Sequence, residues 1–277
     1  MNKMDYLASI TAFNSDKEII ALREKYKEPT FFEIISKQGS ETTYSSFLKW
    51  MFQSSSTDLN SVSPILLLLD ILVTRSEEQK RKDNEVQEIV HIDDEFKRDV
   101  VTRNFQINSI EVETEKSVGR LVDELKDKWE SCDILKKEDE EKLIQKCQDR
   151  IDIFIKCHLD NNQELQIIIE NKIDSTEGGG KNNSETGVGE YDKSDQTKRY
   201  YIATKRNETD RLKQLYIYLS PSVDNKCDCK SFIRITYQDI IDGIIVPMLS
   251  TTSLSSRARF FLEELKTELT FPSLEGR

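Results

Sequence analysis

The chain has 277 residues, of which 36% are hydrophobic and 33% charged, and its formal net charge is −11. This acidic excess argues against broad, non-specific adhesion to nucleic acid or to an anionic membrane, although a local basic groove can coexist with an acidic exterior. The sequence has no apolar run long enough to span a bilayer, no signal-peptide pattern in residues 1–10, and five scattered cysteines, so we expect a cytoplasmic protein with reduced thiols.

The N-terminal part of the chain is predicted to be helical. Residues 1–27 carry apolar side chains at helical spacing, and Pro29 ends that element. Ser40 is a suitable N-cap for a helix over residues 41–52. Residues 64–74 are predicted as a buried helix, and residues 76–88 form a charge run that is typical of a solvated helix end or a loop.

Residues 105–118 alternate between polar and apolar side chains, which predicts a long strand. Glu115 lies near its end; we expect this side chain to face solvent, although it could also enter a site at the end of the strand. Residues 119–149 then carry two helical patterns, which we interpret as an insertion between strands. A lid, a partner-binding arm and a DNA-contacting element are all compatible with this insertion.

Residues 150–172 organise the rest of the chain. They read as two short β-branched strands separated by a turn, which predicts an antiparallel hairpin. Asp152 lies on the first strand, and Glu170 and Lys172 lie on the second, where they point to the same face because strand side chains alternate. Two carboxylates this close repel each other unless one is protonated or a cation lies between them, and oxygen ligands suit Mg²⁺ or Mn²⁺.

The remaining elements follow in order. Residues 174–195 are rich in Gly, Ser and Asn and are predicted to form a mobile loop beside the end of the second hairpin strand. A helix is predicted to begin near Gln196, and strands are predicted over residues 212–220 and 232–235. Helices from residue 237 and over residues 253–269 complete the chain.

Asp152, followed on the next strand by Glu170-Asn171-Lys172, resembles the signature of the PD-(D/E)XK nuclease superfamily, with Ile151 in place of the signature proline. Two flanking segments are also similar to a subgroup of largely uncharacterised bacterial proteins in that superfamily. Residues 41–52 match its N-terminal helix, with a Ser-x-Phe-Leu-x-Trp run, and residues 196–201 match the Gln-containing helix that follows the Glu-x-Lys strand.

The resemblance implies an α/β fold with a restriction-endonuclease-like core. The elements of this core follow one another in the order αβββαβ, and helices flank its mixed central sheet. Under this interpretation residues 1–277 form a single domain that carries the 119–149 insertion and the 174–195 loop. It also implies bound Mg²⁺ or Mn²⁺. The implied site residues are Asp152, Glu170 and Glu41 as metal ligands, Asp152, Glu170, Lys172 and Gln196 as catalytic residues, and Lys198 and Arg199 as contacts to substrate phosphate.

The function that the resemblance implies is a divalent-metal-dependent nuclease, with DNA favoured over RNA and bacterial defence as a compatible context. The implied partner is nucleic acid, and a homodimer or a defence-system protein is also compatible. One alternative is a catalytically inactive nucleic-acid- or protein-binding module on the same fold. In another, Lys172 neutralises Asp152 and Glu170 in a structural ion-pair cluster. Glu41, in turn, could simply complement the dipole of its helix.

Overall fold

The computed structural model describes residues 16–17, 40–53, 63–82, 92–125, 149–160, 162–173, 196–205, 212–223, 227, 229–252 and 254–270. The chain divides into two units, Met1–Gln38 and Gly39–Arg277, and every element named below belongs to the second. The rest of the helix predicted over residues 1–27, the predicted loop 174–195 and residues 126–148 of the predicted insertion lie outside the described residues. The single-domain organisation stays a prediction.

A mixed five-stranded sheet forms the centre of the described structure. Its strands are β1 (Ile107–Ser117), β2 (Arg150–Leu159), β3 (Glu164–Asn171), β4 (Leu212–Ser220) and β5 (Ile233–Thr236), and they lie in sequence order across the sheet. The β1–β2 and β2–β3 pairs are antiparallel, whereas β3–β4 and β4–β5 are parallel. The sheet and its flanking helices confirm the predicted α/β, restriction-endonuclease-like fold.

Helices lie before, between and after the strands. They are α1 (Glu41–Phe52), α2 (Pro64–Lys82), α3 (Asp94–Thr102), α4 (Val118–Leu125), α5 (Gln196–Thr204), α6 (Tyr237–Ile240), α7 (Val246–Leu249) and α8 (Ser256–Thr270), with a π-helical turn at Ile241–Ile245 between α6 and α7. None of the helices within the described residues is long and apolar enough to cross a membrane.

The central strands are buried on both faces, as expected for Ile-rich strands between two helical layers. In β3 every residue after Glu164 is buried, whereas the edge strand β1 leaves several side chains exposed. On one face α4 and α5 supply Leu121 and Tyr200 to a buried cluster with Ile168 of β3. On the other side of the sheet, α1 lies against β1 and β2, and α2 lies against β5.

Two helical features differ from the expectation. Helix α2 continues to Lys82 instead of ending near Thr74, because its polar residues are used for packing. The amide of Gln79 donates to the Phe232 carbonyl at 3.1 Å and accepts from the Arg234 N–H at 3.1 Å, so it satisfies backbone groups at the sheet edge. Helix α3 was not predicted at all, although its N-cap Asp93 accepts a hydrogen bond from the Phe96 N–H.

The two ends of the predicted insertion lie next to each other. Ser117 pairs with Arg150 at the last position of the β1–β2 ladder, and the Val118 N–H donates to the Asp149 carbonyl at 3.1 Å. The chain therefore leaves β1 and returns to β2 at almost the same point. The first turns of this excursion are helix α4, whose Leu121 is buried in the core.

Candidate active site

Asp152 lies at the end of the β2–β3 ladder. The last paired position is Ile153 opposite Ile169, and beyond it the Asn171 backbone N–H donates to the Asp152 carboxylate at 2.7 Å. Burial raises the pKa of Asp152 from 3.8 to about 6, and the hydrogen bond from Asn171 and the charge of Lys172 oppose this shift. Asp152 is thus a carboxylate whose charged form lacks adequate stabilisation from the protein alone.

Glu170 is fully buried beside it, with no exposed side-chain surface. Lys172 Nζ lies 2.5 Å from Glu170 Oε1, whereas Glu170 Oε2 has no hydrogen-bond partner among the described residues. Burial and the charge of Asp152 both raise the pKa of Glu170 well above its ordinary value. A buried carboxyl group with one unsatisfied oxygen and a second acid beside it is stabilised by a proton or a cation, since leaving such an oxygen unpaired is costly.

Lys172 is held against these carboxyl groups from the end of β3. Its backbone N–H donates to the Leu219 carbonyl at 2.9 Å, which extends the β3–β4 pairing by one residue. Burial alone would lower the pKa of Lys172, but the neighbouring acidic groups, led by Glu170, outweigh it and raise the pKa above its ordinary value. The ammonium of Lys172 is therefore charged although its side chain is almost fully buried.

Glu41 reaches the same place from the first turn of α1. Ser40 caps this helix, and the Glu41 carboxylate accepts a hydrogen bond from the Ile173 N–H at 3.3 Å. Its other oxygen lies 3.9 Å from Lys172 Nζ. From the sequence, Glu41 could either complement the dipole of its helix or join the metal site. The structure brings it within reach of the Glu170–Lys172 pair, with about a third of its side chain exposed.

Helix α5 contributes a second group of residues. The Gln196 amide donates to the Tyr200 hydroxyl at 2.5 Å, and that hydroxyl donates to the Arg150 carbonyl at 2.5 Å. Burial, followed by the charge of Glu170, raises the pKa of Tyr200, which places this phenol close to the acidic cluster. Gln196 is therefore connected to the start of β2 through Tyr200.

The two predicted phosphate contacts differ in their surroundings. Arg199 Nε donates to the Asp149 carboxylate at 2.8 Å, so this guanidinium joins α5 to the residue that precedes β2. Lys198 is partly exposed on the same helix. Neither side chain has a described contact with Asp152, Glu170 or Lys172.

Glu115 adjoins the cluster on the β1 side. It lies across from Asp152 between the Thr114–Ile153 and Lys116–Ile151 pairs of the β1–β2 ladder, and its backbone is left-handed, with φ of 55°. Its charge contributes to the raised pKa of Asp152. The side chain is partly exposed and lies 3.8 Å from Arg150. Glu115 therefore faces solvent in part and also lies beside the acidic cluster, the two positions that the sequence allowed for it.

Three residues beneath the cluster were missed by sequence reasoning. Asn171, the middle residue of Glu-x-Lys, is fully buried and contacts Ser45 of α1 and Tyr237 of α6. The available signal was an amide in an otherwise apolar strand end, because a buried amide requires polar partners. Nothing in the sequence indicated which partners those are.

The donor set fits a hard divalent cation. It consists of carboxylate oxygens, with Asp152 and Glu170 buried together, Glu41 nearby and no buried imidazole or thiol among them. In the part of the chain that the structure describes, no group of three or more His, Cys, Asp or Glu side chains is already arranged to hold a metal ion. The unsatisfied Oε2 of Glu170 and the raised pKa values of both buried acids are the features that a cation would relieve.

Comparison with known proteins agrees with this geometry. A family model described as the PD-(D/E)XK nuclease superfamily matches residues 29–182, which is more than half of the chain. The matched segment contains Glu41, Asp152, Glu170 and Lys172 but ends before helix α5. No curated protein matches the sequence. No solved structure matches either. On the family match, which the fold and the Asp152, Glu170-Asn171-Lys172 arrangement support, the chain belongs to the PD-(D/E)XK nuclease superfamily.

Proposed function

We propose that the protein is a divalent-metal-dependent nuclease that hydrolyses phosphodiester bonds, with DNA as its substrate. The observation that carries this proposal is the fully buried carboxyl of Glu170, which lies beside Asp152 and is paired with Lys172 through one oxygen, while its other oxygen has no partner among the described residues. A purely structural ion pair satisfies its carboxylate oxygens, because each orphaned buried acceptor costs stability. In this protein the unpaired oxygen of Glu170 lies at the end of β3, where the superfamily motif lies.

In this proposal Asp152 and Glu170 hold Mg²⁺ or Mn²⁺, and Glu41 adds a third oxygen ligand from α1. When bound, the cation supplies Lewis-acid activation of the attacking water and neutralises charge on the scissile phosphate. Lys172 donates from its ammonium to a phosphate oxygen or to the attacking water, as its charged state and its position between Glu41 and Glu170 allow.

Residues outside the carboxylate cluster position the substrate. Gln196 orients a water or a ligand from the start of α5, and Lys198 and Arg199 contact backbone phosphates. The family match supports nuclease chemistry in general. The choice of DNA and a role in bacterial defence belong to this proposal.

The test combines cleavage with direct metal binding. Purified protein is incubated with plasmid, linear duplex, single-stranded DNA and RNA in Mg²⁺ or Mn²⁺, and calorimetry measures Mn²⁺ binding to wild type, Asp152→Ala and Lys172→Ala. We expect wild type to bind Mn²⁺ and cleave, Asp152→Ala to lose both, and Lys172→Ala to lose cleavage alone, because an ammonium cannot coordinate a cation.

The same hairpin offers a matched control. Lys156 and Glu164 form an ion pair, with 3.4 Å between charged atoms, several residues from the site on the same two strands. Lys156→Ala and Glu164→Gln should leave cleavage unchanged. Cleavage that survives in Asp152→Ala would point to a contaminating nuclease. If wild type neither binds Mn²⁺ nor cleaves any substrate, the catalytically inactive binding module becomes the better interpretation.

A further inference from the structure

Asn171 points away from the carboxylate cluster. Strand side chains alternate, so Asn171 faces the opposite side of β3 from Glu170 and Lys172. It is fully buried, and its amide Nδ2 donates to the hydroxyl of Ser45 at 3.2 Å and to the backbone carbonyl of Glu41 at 3.4 Å. Its backbone N–H is the group that donates to Asp152. One residue thus contacts both β2 and α1, the elements that carry two of the three acids.

Tyr237 completes the environment of Asn171 from the C-terminal part of the chain. Its buried hydroxyl lies 2.6 Å from Asn171 Oδ1, to which it donates, and 3.2 Å from the carbonyl oxygen of Lys172. Tyr237 therefore touches the backbone of the catalytic lysine and orients the amide that holds Glu41. It lies outside the segment that matches the family model, which ends at residue 182.

The helix that carries Tyr237 is itself firmly held. Thr236 and Asp239 form a capping box at the start of α6. Asp239 also accepts two hydrogen bonds from the guanidinium of Arg75 on α2, at 3.1 Å from Nε and 2.5 Å from Nη2. Such a bidentate pair restrains orientation as well as distance. Tyr237 is thereby connected to the rigid α2–β5 edge of the sheet.

We propose that Asn171 and Tyr237 are positioning residues of the nuclease site. Through their hydrogen bonds to Glu41, Lys172 and Asp152 they set the place of Glu41 and of the Lys172 backbone relative to Asp152. This inference rests on the proposed function and adds to it a C-terminal residue that acts through Asn171. Residues that orient metal ligands commonly change metal affinity or activity by roughly 10- to 100-fold when they are altered.

The chain provides a closely matched control for Tyr237. Tyr44 of α1 is also fully buried, and its hydroxyl donates to Glu268 at 2.6 Å. The two rings pack edge to face with centroids 6.5 Å apart. Tyr237→Phe and Tyr44→Phe each remove one buried hydroxyl with a 2.6 Å hydrogen bond, but only Tyr237 touches Asn171 and Lys172.

The experiment compares these two variants in the full-length protein. Calorimetry gives the Kd for Mn²⁺, steady-state cleavage of duplex DNA in Mn²⁺ gives kcat and KM, and thermal unfolding without metal gives Tm. We expect Tyr237→Phe to weaken Mn²⁺ binding and to lower kcat by about 10-fold or more with little change in KM. Tyr44→Phe should lower Tm by a comparable amount, but its Kd for Mn²⁺ and its kcat should stay close to those of wild type.

A second substitution keeps the inference testable if Tyr237→Phe folds poorly. Ser45→Ala removes only the hydroxyl that accepts from Asn171, and it should weaken Mn²⁺ binding in the same direction by a smaller factor. Equal effects of Tyr237→Phe and Tyr44→Phe on Kd and kcat would overturn the positioning role while leaving the proposed function intact. A wild-type protein that neither binds Mn²⁺ nor cleaves would overturn the proposed function, and this inference with it.

Discussion

The ammonium of Lys172 lies 2.5 Å from a carboxylate oxygen of Glu170, a side chain with no exposed surface. The proposed function places the cation beside this pair, so Lys172 compensates in part for the charge that Asp152, Glu170 and Glu41 concentrate there. A positive charge next to a cation site also weakens cation binding, because like charges repel. Lys172 therefore has two opposing effects, one on metal affinity and one on turnover.

The first prediction separates these effects with Lys172→Met, which keeps most of the apolar stem and removes the charge. We expect Mn²⁺ to bind at least as tightly as to wild type, because its competitor is gone, while cleavage falls by at least about 100-fold through loss of a transition-state contact. Calorimetry and a cleavage time course measure the two quantities. Lys156→Met, on the same strand pair, is the control, and a Lys172→Met protein that still cleaves normally would contradict a catalytic role.

The second prediction concerns pH and stability without metal. The pKa of Asp152 is raised in the native state from 3.8 to about 6, so between these values the native protein retains a proton that the unfolded chain releases. The native state is then favoured at low pH, and its stability falls as the pH rises through this window. Two pKa units correspond to about 3 kcal/mol.

Asp152→Asn should remove this fall in stability at higher pH, because an amide does not ionise. Its oxygen can still accept the hydrogen bond from the Asn171 N–H. In EDTA we expect the variant to be more stable than wild type at pH 8, by up to about 3 kcal/mol, and the difference to vanish below about pH 4. Urea unfolding at pH 4, 6 and 8 measures this difference in the free energy of unfolding. With saturating Mn²⁺ the order should reverse, because only wild type gains binding energy. A constant difference across this pH range would show that Asp152 is not destabilised by its charge.

The third prediction concerns the insertion between β1 and β2. Because Val118 and Asp149 are joined by a backbone hydrogen bond, a Gly-Ser linker that replaces residues 126–148 needs to span only the length of the eight-residue helix α4 to reach β2. We expect this variant to remain folded. Excision of all of 119–149 should cost about 2–5 kcal/mol more, because it removes the buried Leu121 and also Asp149, the partner of Arg199. Urea unfolding compares the two, and insoluble protein from the shorter excision would argue against an insertion.

The fourth prediction distinguishes the two basic residues of α5. Lys198→Ala should raise the Kd for DNA and reduce the salt dependence of binding by about one phosphate contact. Arg199→Ala should also lower the free energy of unfolding, by about 1 kcal/mol, because it breaks the pair with Asp149. Fluorescence anisotropy with a DNA duplex at several salt concentrations, in Ca²⁺ to prevent turnover, measures DNA binding by both variants, and urea unfolding measures their stability. Unchanged binding in both variants would remove α5 from the substrate interface.

The strands and the motif were predictable because they depend on local patterns. The Ile-rich runs of β2 and β3, the alternation in β1 and the β4 strand are period-2 signals that burial on a sheet imposes. Helix α1 was equally clear from its Ser40 cap and its apolar spacing. Helix α3 was missed, and α2 was predicted too short. The polar residues Arg75 and Gln79 of α2 form hydrogen bonds with the C-terminal elements, and no local pattern records a partner more than 150 residues away.

The sequence by itself determined the α/β class, the hairpin that carries Asp152, Glu170 and Lys172, and the superfamily to which the chain belongs. Only the tertiary structure decided that Glu41 reaches this hairpin, that Gln196 bonds to Tyr200, and that Asn171 and Tyr237 support the site from the opposite face. The physical reason is that strand periodicity fixes the face on which a residue lies. The packing of α1, α5 and α6 on the sheet determines which distant polar groups lie close enough to satisfy a buried one.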